Sequence, residues 1–325
     1  MKTAFLYPGQ GAQKVGMGRD LYRSFPAARE VFEQVQAACN LPLARLCFEG
    51  PQEELSRTDI CQLGIFAVSA ATLAVMREVL APDRMPQPAF MAGLSLGEYT
   101  ALYAAGAMDL PSAAELVARR GELMQGAAAT TPSAMVCVMG LDEKAAGELC
   151  QVAAQGQTLV CANFNCPGQI VLSGHRDACE RAAARARDFG ASGIVALNVA
   201  GAFHSPLMQP AADRLAEALD AVALADPKVT VIANADAQPY RGAGEIKHRL
   251  MTQLVSPVRW QQSMEYLLAQ GVRRFYEIGP SRVLAGLMRR ISRQAHVTCV
   301  NCLEAVRRLS GLRASSNGSC PDHTS

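Results

Sequence analysis

An α/β fold built on a mainly parallel sheet is predicted by three features of the 325-residue sequence. Short apolar runs ending in glycine or proline alternate with longer helical patterns: Thr3 to Tyr7 then Pro8-Gly9-Gln10-Gly11, Ala89 to Ala92 then Gly93, and Arg274 to Ile278 then Gly279-Pro280. Strands feeding helices in this way form parallel sheets, which bind ligands outside the carboxyl ends of their strands. The middle of the chain follows a different order. Ala134 to Met139 reads as a strand, Asp142 to Ala154 as a helix, Thr158 to Asn163 and Gln169 to Ser173 as a hairpin about Asn165-Cys166-Pro167-Gly168, Asp177 to Phe189 as a helix and Gly193 to Val199 as a strand. This βαββαβ order is that of a ferredoxin-like unit. Because it lies inside the chain, the larger α/β domain is predicted to be discontinuous, 1–128 plus 200–307, with the small domain inserted at 129–199. Residues 308–325, polar and aperiodic, read as a disordered tail.

Composition narrows the function. Half the residues are hydrophobic and 18% charged, enough for a large buried core in a soluble globular protein. A net charge of +2 argues against nucleic-acid binding, which needs a clustered excess of Lys and Arg. The pairs Arg273-Arg274, Arg289-Arg290 and Arg307-Arg308 read as solvated faces. The stretch Ile60 to Met76 is uncharged, yet it contains Gln62, Gly64, Ser69 and Thr72 and reads as a buried helix, not a membrane span. Eleven irregularly spaced cysteines, after an N-terminus too short in apolar residues for a signal peptide, predict reduced thiols in the cytoplasm. Cys299-Val300-Asn301-Cys302 has metal or redox spacing but no second pair, so it reads as two half-buried strand cysteines and no metal site is expected. The sequon Asn317-Gly318-Ser319 carries no weight in that compartment.

The chemistry starts at Gly93-Leu94-Ser95-Leu96-Gly97. A short apolar strand precedes Ser95 and a small-residue helical stretch follows, the strand-turn-helix context of a nucleophile elbow. Its glycines permit the tight turn, and the Leu96 N–H would lie at a helix N-terminus, ready to donate to an oxyanion. The competing reading is a serine that merely caps a helix. A serine nucleophile needs a base. Of the five histidines, His175, His248, His296 and His323 have polar neighbours or lie in the tail, whereas His204, in GAFHSP, reads as lying just past a strand and before a helix beginning near Pro206, and so at a second strand end. The turn Pro8 to Gln13 is not a nucleotide loop: Lys14 replaces the third glycine of a dinucleotide fingerprint, and Met17 replaces the lysine of a phosphate loop. It could still offer the Gln10 N–H as a second oxyanion donor.

Seven segments in order, YPGQGAQKVGMG (7–18), GLSLGEYTAL (93–102), ARRGELMQ (118–125), NFNCPGQIVLSG (163–174), GAFHSPLM (201–208), QLVSPVRW (253–260) and EIGPSRVLAGL (277–287), resemble the malonyl-CoA:acyl carrier protein transacylase family from about residue 3 to 305. The resemblance implies an α/β-hydrolase-like, mainly parallel-sheet domain with an inserted ferredoxin-like subdomain. It implies Ser95 as the acylated nucleophile, His204 as its base, and Gln253 as the residue whose main-chain carbonyl orients the histidine. It also implies backbone N–H groups of Gln10 and Leu96 as the oxyanion hole, Arg120 as the ligand of the malonyl carboxylate, and Asn163 and Gln62 as pocket-lining residues. Phe203 resembles the malonyl-preferring form of its motif.

The expected partners are malonyl-CoA and acyl carrier protein, with no cofactor beyond the carrier's phosphopantetheine, no nucleic acid and no membrane, in a chain working as a monomer. Fatty-acid synthesis is the leading use. A discrete acyltransferase of a polyketide pathway is the alternative, and a serine acyl hydrolase or thioesterase, or a non-catalytic carrier-docking module, stand further off. Two departures bear on selectivity: Leu94 stands where most relatives have histidine, and Gln62-Leu63-Gly64 replaces a Gln-Pro-Ala stretch near an expected helix start.

Overall fold

The computed structural model describes residues 1–311. Five strands, β1 (Lys2–Tyr7), β2 (Phe90–Gly93), β7 (Thr230–Ile232), β8 (Val272–Ile278) and β9 (His296–Val300), form a wholly parallel sheet in the order β7-β2-β1-β8-β9. Ala4 to Tyr7 of the central β1 are buried without alternation, as expected of a strand covered on both faces. The remaining four, β3 (Ser133–Met139), β4 (Leu159–Cys166), β5 (Gln169–His175) and β6 (Gly193–Ala196), make an antiparallel sheet in the order β4-β5-β3-β6. Two helices, Glu143–Ala154 and Arg176–Arg185, pack on it around a separate apolar core. The parallel sheet thus draws on residues before and after the antiparallel one.

Boundaries differ from the sequence reading where turns decide them. The β4–β5 hairpin closes at Pro167-Gly168, with Gly168 at φ 68°, so β4 extends to Cys166. The second small-domain helix stops at Arg185 and continues as a 3₁₀ turn, and the final strand ends at Ala196 rather than Val199. The tail predicted from residue 308 begins too early: the helix Leu303–Ser310 buries Ala305 and Val306 and is capped by Gly311 at φ 71°. The rest of that tail, with the sequon and His323, lies outside the described residues.

The uncharged stretch is the core of the helix Thr58–Val79. It is long and apolar enough to cross a membrane, yet 89% of its apolar window is buried in the protein, against the helices Pro26–Cys39 and Leu110–Thr130. Gln62-Leu63-Gly64 lies inside this helix, not at its start, and a Cβ on Gly64 would come within 2.8 Å of Met17. Cys299 ends up half-buried in β9 and Cys302 half-buried just before the last helix, and among the described residues no cluster could hold a metal.

The elbow is where backbone packing is tightest. Ser95 adopts φ 53°, ψ −104°, a strained conformation for a non-glycine residue, between β2 and the elbow helix Leu96–Ala104. Glycines flank it because the chain folds onto itself. A Cβ on Gly93 would lie 1.9 Å from the Gly97 carbonyl, and one on Gly97 would lie 2.1 Å from the Tyr7 carbonyl oxygen of β1. Neither obstacle is a side chain that can swing away. Gly97→Ala is therefore expected to destabilise the protein by about 3 kcal/mol or more, at the upper end of overpacking costs. The check is the urea midpoint, and a variant as stable as the parent would mean that the elbow helix and β1 can separate here.

Candidate active site

Ser95 and His204 arrive from distant parts of the chain and meet. Ser95 Oγ lies 2.8 Å from His204 Nε2. His204 Nδ1 lies 2.7 Å from the main-chain oxygen of Gln253, which can only accept, so Nδ1 carries the proton and Nε2 is left free to accept that of Ser95. Ser95 occupies an N-cap position but makes no capping bond; its hydroxyl is committed to the histidine, and the helix-cap reading fails.

The histidine loop is held by the small domain. His204 is itself at φ 57°. Ser173 of β5 donates to the Phe203 carbonyl at 2.7 Å, and Ser133 of β3 accepts from the Ala202 N–H at 3.2 Å. The small domain also meets the large one where Asn163 of β4 bridges Val258, in the loop before the helix Trp260–Ala269. A cavity of about 510 Å³ opens between them, with Ser95 and His204 in its wall together with Gln10, Asn163, Met124 and Phe203. Two helices contribute in other ways: Leu96 heads the elbow helix, so its N–H belongs to the first turn and has no intrahelical acceptor, while Val283 to Leu287 bring apolar side chains to the rim.

Arg120 sits behind the serine, on the helix Leu110–Thr130 and 1% exposed. Its Nη2 donates to Ser95 Oγ at 3.0 Å and to Gln253 Oε1 at 3.0 Å, and its Nη1 donates to Gln62 Oε1 at 2.5 Å. The guanidinium also stacks 5.1 Å from the Tyr99 ring. Among the described residues no carboxylate lies within ion-pair distance of it. Burial pushes the Arg120 pKa down, opposed by Tyr99 and Glu98. Arg119, next to it, pairs at the surface with Glu122.

Three expectations need correction. Gln62 does not line the cavity; its side chain instead holds Arg120 and donates to Met124 Sδ at 3.5 Å. Arg120 is likewise beneath the cavity wall, reaching it through Ser95. Gln253 acts through more than its carbonyl: its Nε2 donates to the Ser95 carbonyl at 2.9 Å and to Glu98 Oε2 at 2.5 Å. Asn163 is where expected, in the cavity wall.

The sequence reading missed Glu98, Asn234 and Tyr240. Asn234 accepts from the Ser95 N–H at 2.6 Å and donates to the Gly93 carbonyl at 2.7 Å, clamping both sides of the elbow. Glu98, fully buried, accepts from the Asn234 N–H at 3.2 Å and from Gln253, and bonds the Tyr240 hydroxyl. The spacing Ser95-x-x-Glu98 is that of a capping box and was the available signal. Nothing local marks Asn234 or Tyr240.

A model of the acyl transferase domain matches residues 4–308. The chain belongs to the acyl transferase domain family. Among similar proteins, the malonyl CoA-acyl carrier protein transacylase of Bacillus subtilis (strain 168) is 41% identical over 307 residues, covering 94% of this chain and 95% of the relative. That of Escherichia coli (strain K12) is 41% identical over 288 residues, covering 89% and 92%. The solved malonyl CoA-acyl carrier protein transacylase of Coxiella burnetii superposes with a TM-score of 0.91 at 38% identity, covering 96% and 98%. A malonyl-transacylase solved in complex with a type II polyketide acyl-carrier protein superposes at 0.90 with 37% identity, covering 96% and 100%. The acyltransferase thus shares its whole architecture with these relatives, the inserted small domain included.

Proposed function

We propose that this acyltransferase moves a malonyl group from malonyl-CoA to the phosphopantetheine thiol of acyl carrier protein, in fatty-acid synthesis, through a malonyl ester of Ser95. His204 Nε2 takes the Ser95 proton as Oγ attacks the thioester carbonyl. The N–H groups of Gln10 and Leu96 hold the oxyanion, and the C–S bond breaks as the CoA sulfur recovers the proton from His204. The carrier thiol then runs the same steps in reverse. Every proton and electron pair is accounted for by side chains and substrates, so no metal or redox cofactor is needed.

A single chain supplies Ser95, His204, Gln253 and Arg120, which supports a monomer as the working unit. The ten free cysteines among the described residues, including Cys150 and Cys161 with sulfurs 3.9 Å apart, suit a reducing cytoplasm.

The observation that carries the malonyl reading is a buried guanidinium, without a carboxylate partner, touching the nucleophile. A buried cation with no carboxylate in direct contact is costly, since Glu98 reaches Arg120 only across Gln253, and an acyl tail ending in a carboxylate supplies that contact at the point where it is needed. Met124, which lines the cavity and contacts Gln62, is a flexible side chain beside that path. An uncharged acyl tail gives no such pairing, which disfavours a general acyl hydrolase. Arg120→Ala is expected to lower malonyl transfer relative to acetyl transfer by about one to two decades, from the loss of a charge-assisted contact of roughly 1.5–3 kcal/mol. Transfer and hydrolysis of malonyl-CoA and acetyl-CoA are compared in both proteins. Malonyl preference surviving the substitution would place carboxylate recognition elsewhere.

A further inference from the structure

We infer that Glu98 is a positioning residue whose ionised carboxylate, beneath the elbow, sets the geometry of both the nucleophile and its base. Its place in the chain explains why it is free for this task. At capping-box spacing a glutamate would return to the N–H of the capping residue, but Asn234 already takes the Ser95 N–H. Glu98 points instead to the loop after β7 and to the helix Ile246–Val255.

What it holds is the machinery. Asn234, held through its N–H, presents the side chain that clamps Ser95 and Gly93. Gln253, held through its side chain, presents the carbonyl that orients His204 and the Oε1 that receives Arg120. One carboxylate therefore ties the elbow helix to two segments more than 130 residues further along the chain. The groups around it are donors: the Asn234 N–H, the Gln253 amide and the Tyr240 hydroxyl. Such a cradle suits an anion, since a protonated acid would carry a hydrogen toward groups that already offer one.

The charged and titratable groups that bear on it are Arg120 from the helix Leu110–Thr130, Tyr240, Arg249 stacked 5.2 Å from the Tyr240 ring, and Tyr99 on its own helix. Burial pushes the Glu98 pKa up to about 7, against the pull of Tyr240, Gln253, Asn234 and Arg120. The shift is upward, so the proton is held more tightly than in solution and the anion forms only as the pH rises through about 7. Acylation should rise over the same interval.

The proposal rests on the acyl-transfer reading, and two probes keep them separable: single-turnover acylation by malonyl-CoA, and labelling of Ser95 by a fluorophosphonate, which reports the serine-histidine pair whatever the natural acyl group. In the parent both rates are expected to climb with a midpoint near pH 7. Glu98→Gln, at neutral pH, should slow acylation about tenfold, mostly in kcat with little change in KM, and should erase that midpoint from both profiles. Tyr240→Phe removes one donor to the anion and should move the midpoint to higher pH without removing it. If malonyl-CoA does not react but the fluorophosphonate shows these profiles, the substrate assignment fails and the role of Glu98 stands. A folded Glu98→Gln protein with the parental profile overturns the role, and so does a Tyr240→Phe midpoint that stays in place.

Discussion

Ser95→Ala, mixed with malonyl-CoA, should show no acyl-enzyme by intact mass and should lose transfer on the order of 10⁴–10⁶-fold, the scale on which an interdependent nucleophile unit fails when one member is removed. The effect is this large because the hydroxyl is the only reacting atom of the protein that forms a bond. It receives Arg120 on one side and faces His204 on the other, and the strained turn holds it in the cavity wall. Ser56 also lines the cavity, but its Oγ accepts from Gln52 and among the described residues no histidine is hydrogen-bonded to it. Acyl transfer persisting in the alanine variant with the mass increment on Ser56, or on any other residue, would overturn the assignment. The variant should keep its fold, since Ser95 Oγ makes no capping bond whose loss would fray the elbow helix.

His204→Ala should slow acylation by about 10²–10⁴-fold, the usual worth of a positioned acid-base group. The pH dependence distinguishes this from a structural loss. Burial, and then the nearby Arg120 charge, push the His204 pKa down to about 4, with the Gln253 carbonyl opposing them. A lowered pKa in a cationic acid means that the neutral imidazole persists well below its ordinary range, so the base remains available until the pH falls to about 4. The parent's rate profile should therefore carry an acid limb near pH 4, separate from the rise that Glu98 imposes near 7. The limb near 4 should disappear in the variant, whose residual rate no longer depends on an imidazole. An acid limb unchanged by the substitution would mean that a different group supplies the base.

How much of this was legible in the sequence depended on distance along the chain. The elbow could be read because Gly93, Ser95 and Gly97 lie within five residues and because the crossing of β1, β2 and the elbow helix leaves no room for a Cβ at either glycine. The two folding units could be read because the apolar pattern changes where the parallel sheet gives way to the antiparallel one. His204 could be nominated by elimination, and Arg120 by resemblance, but neither nomination included a distance or a depth.

Tertiary structure alone decided the rest. Gln62 was expected to face substrate and instead faces Arg120, because a helix turns its residues by 100° each and only packing determines which side meets the cavity. Gln253 proved to act through both its carbonyl and its side chain. Glu98, Asn234 and Tyr240 became part of the site only when segments more than 130 residues apart were buried together. The sequence by itself determined which residues could do chemistry, since that follows from side-chain type and local backbone geometry. Folding decided which of them share a dry volume, and there every polar group must find a partner wherever in the chain that partner lies.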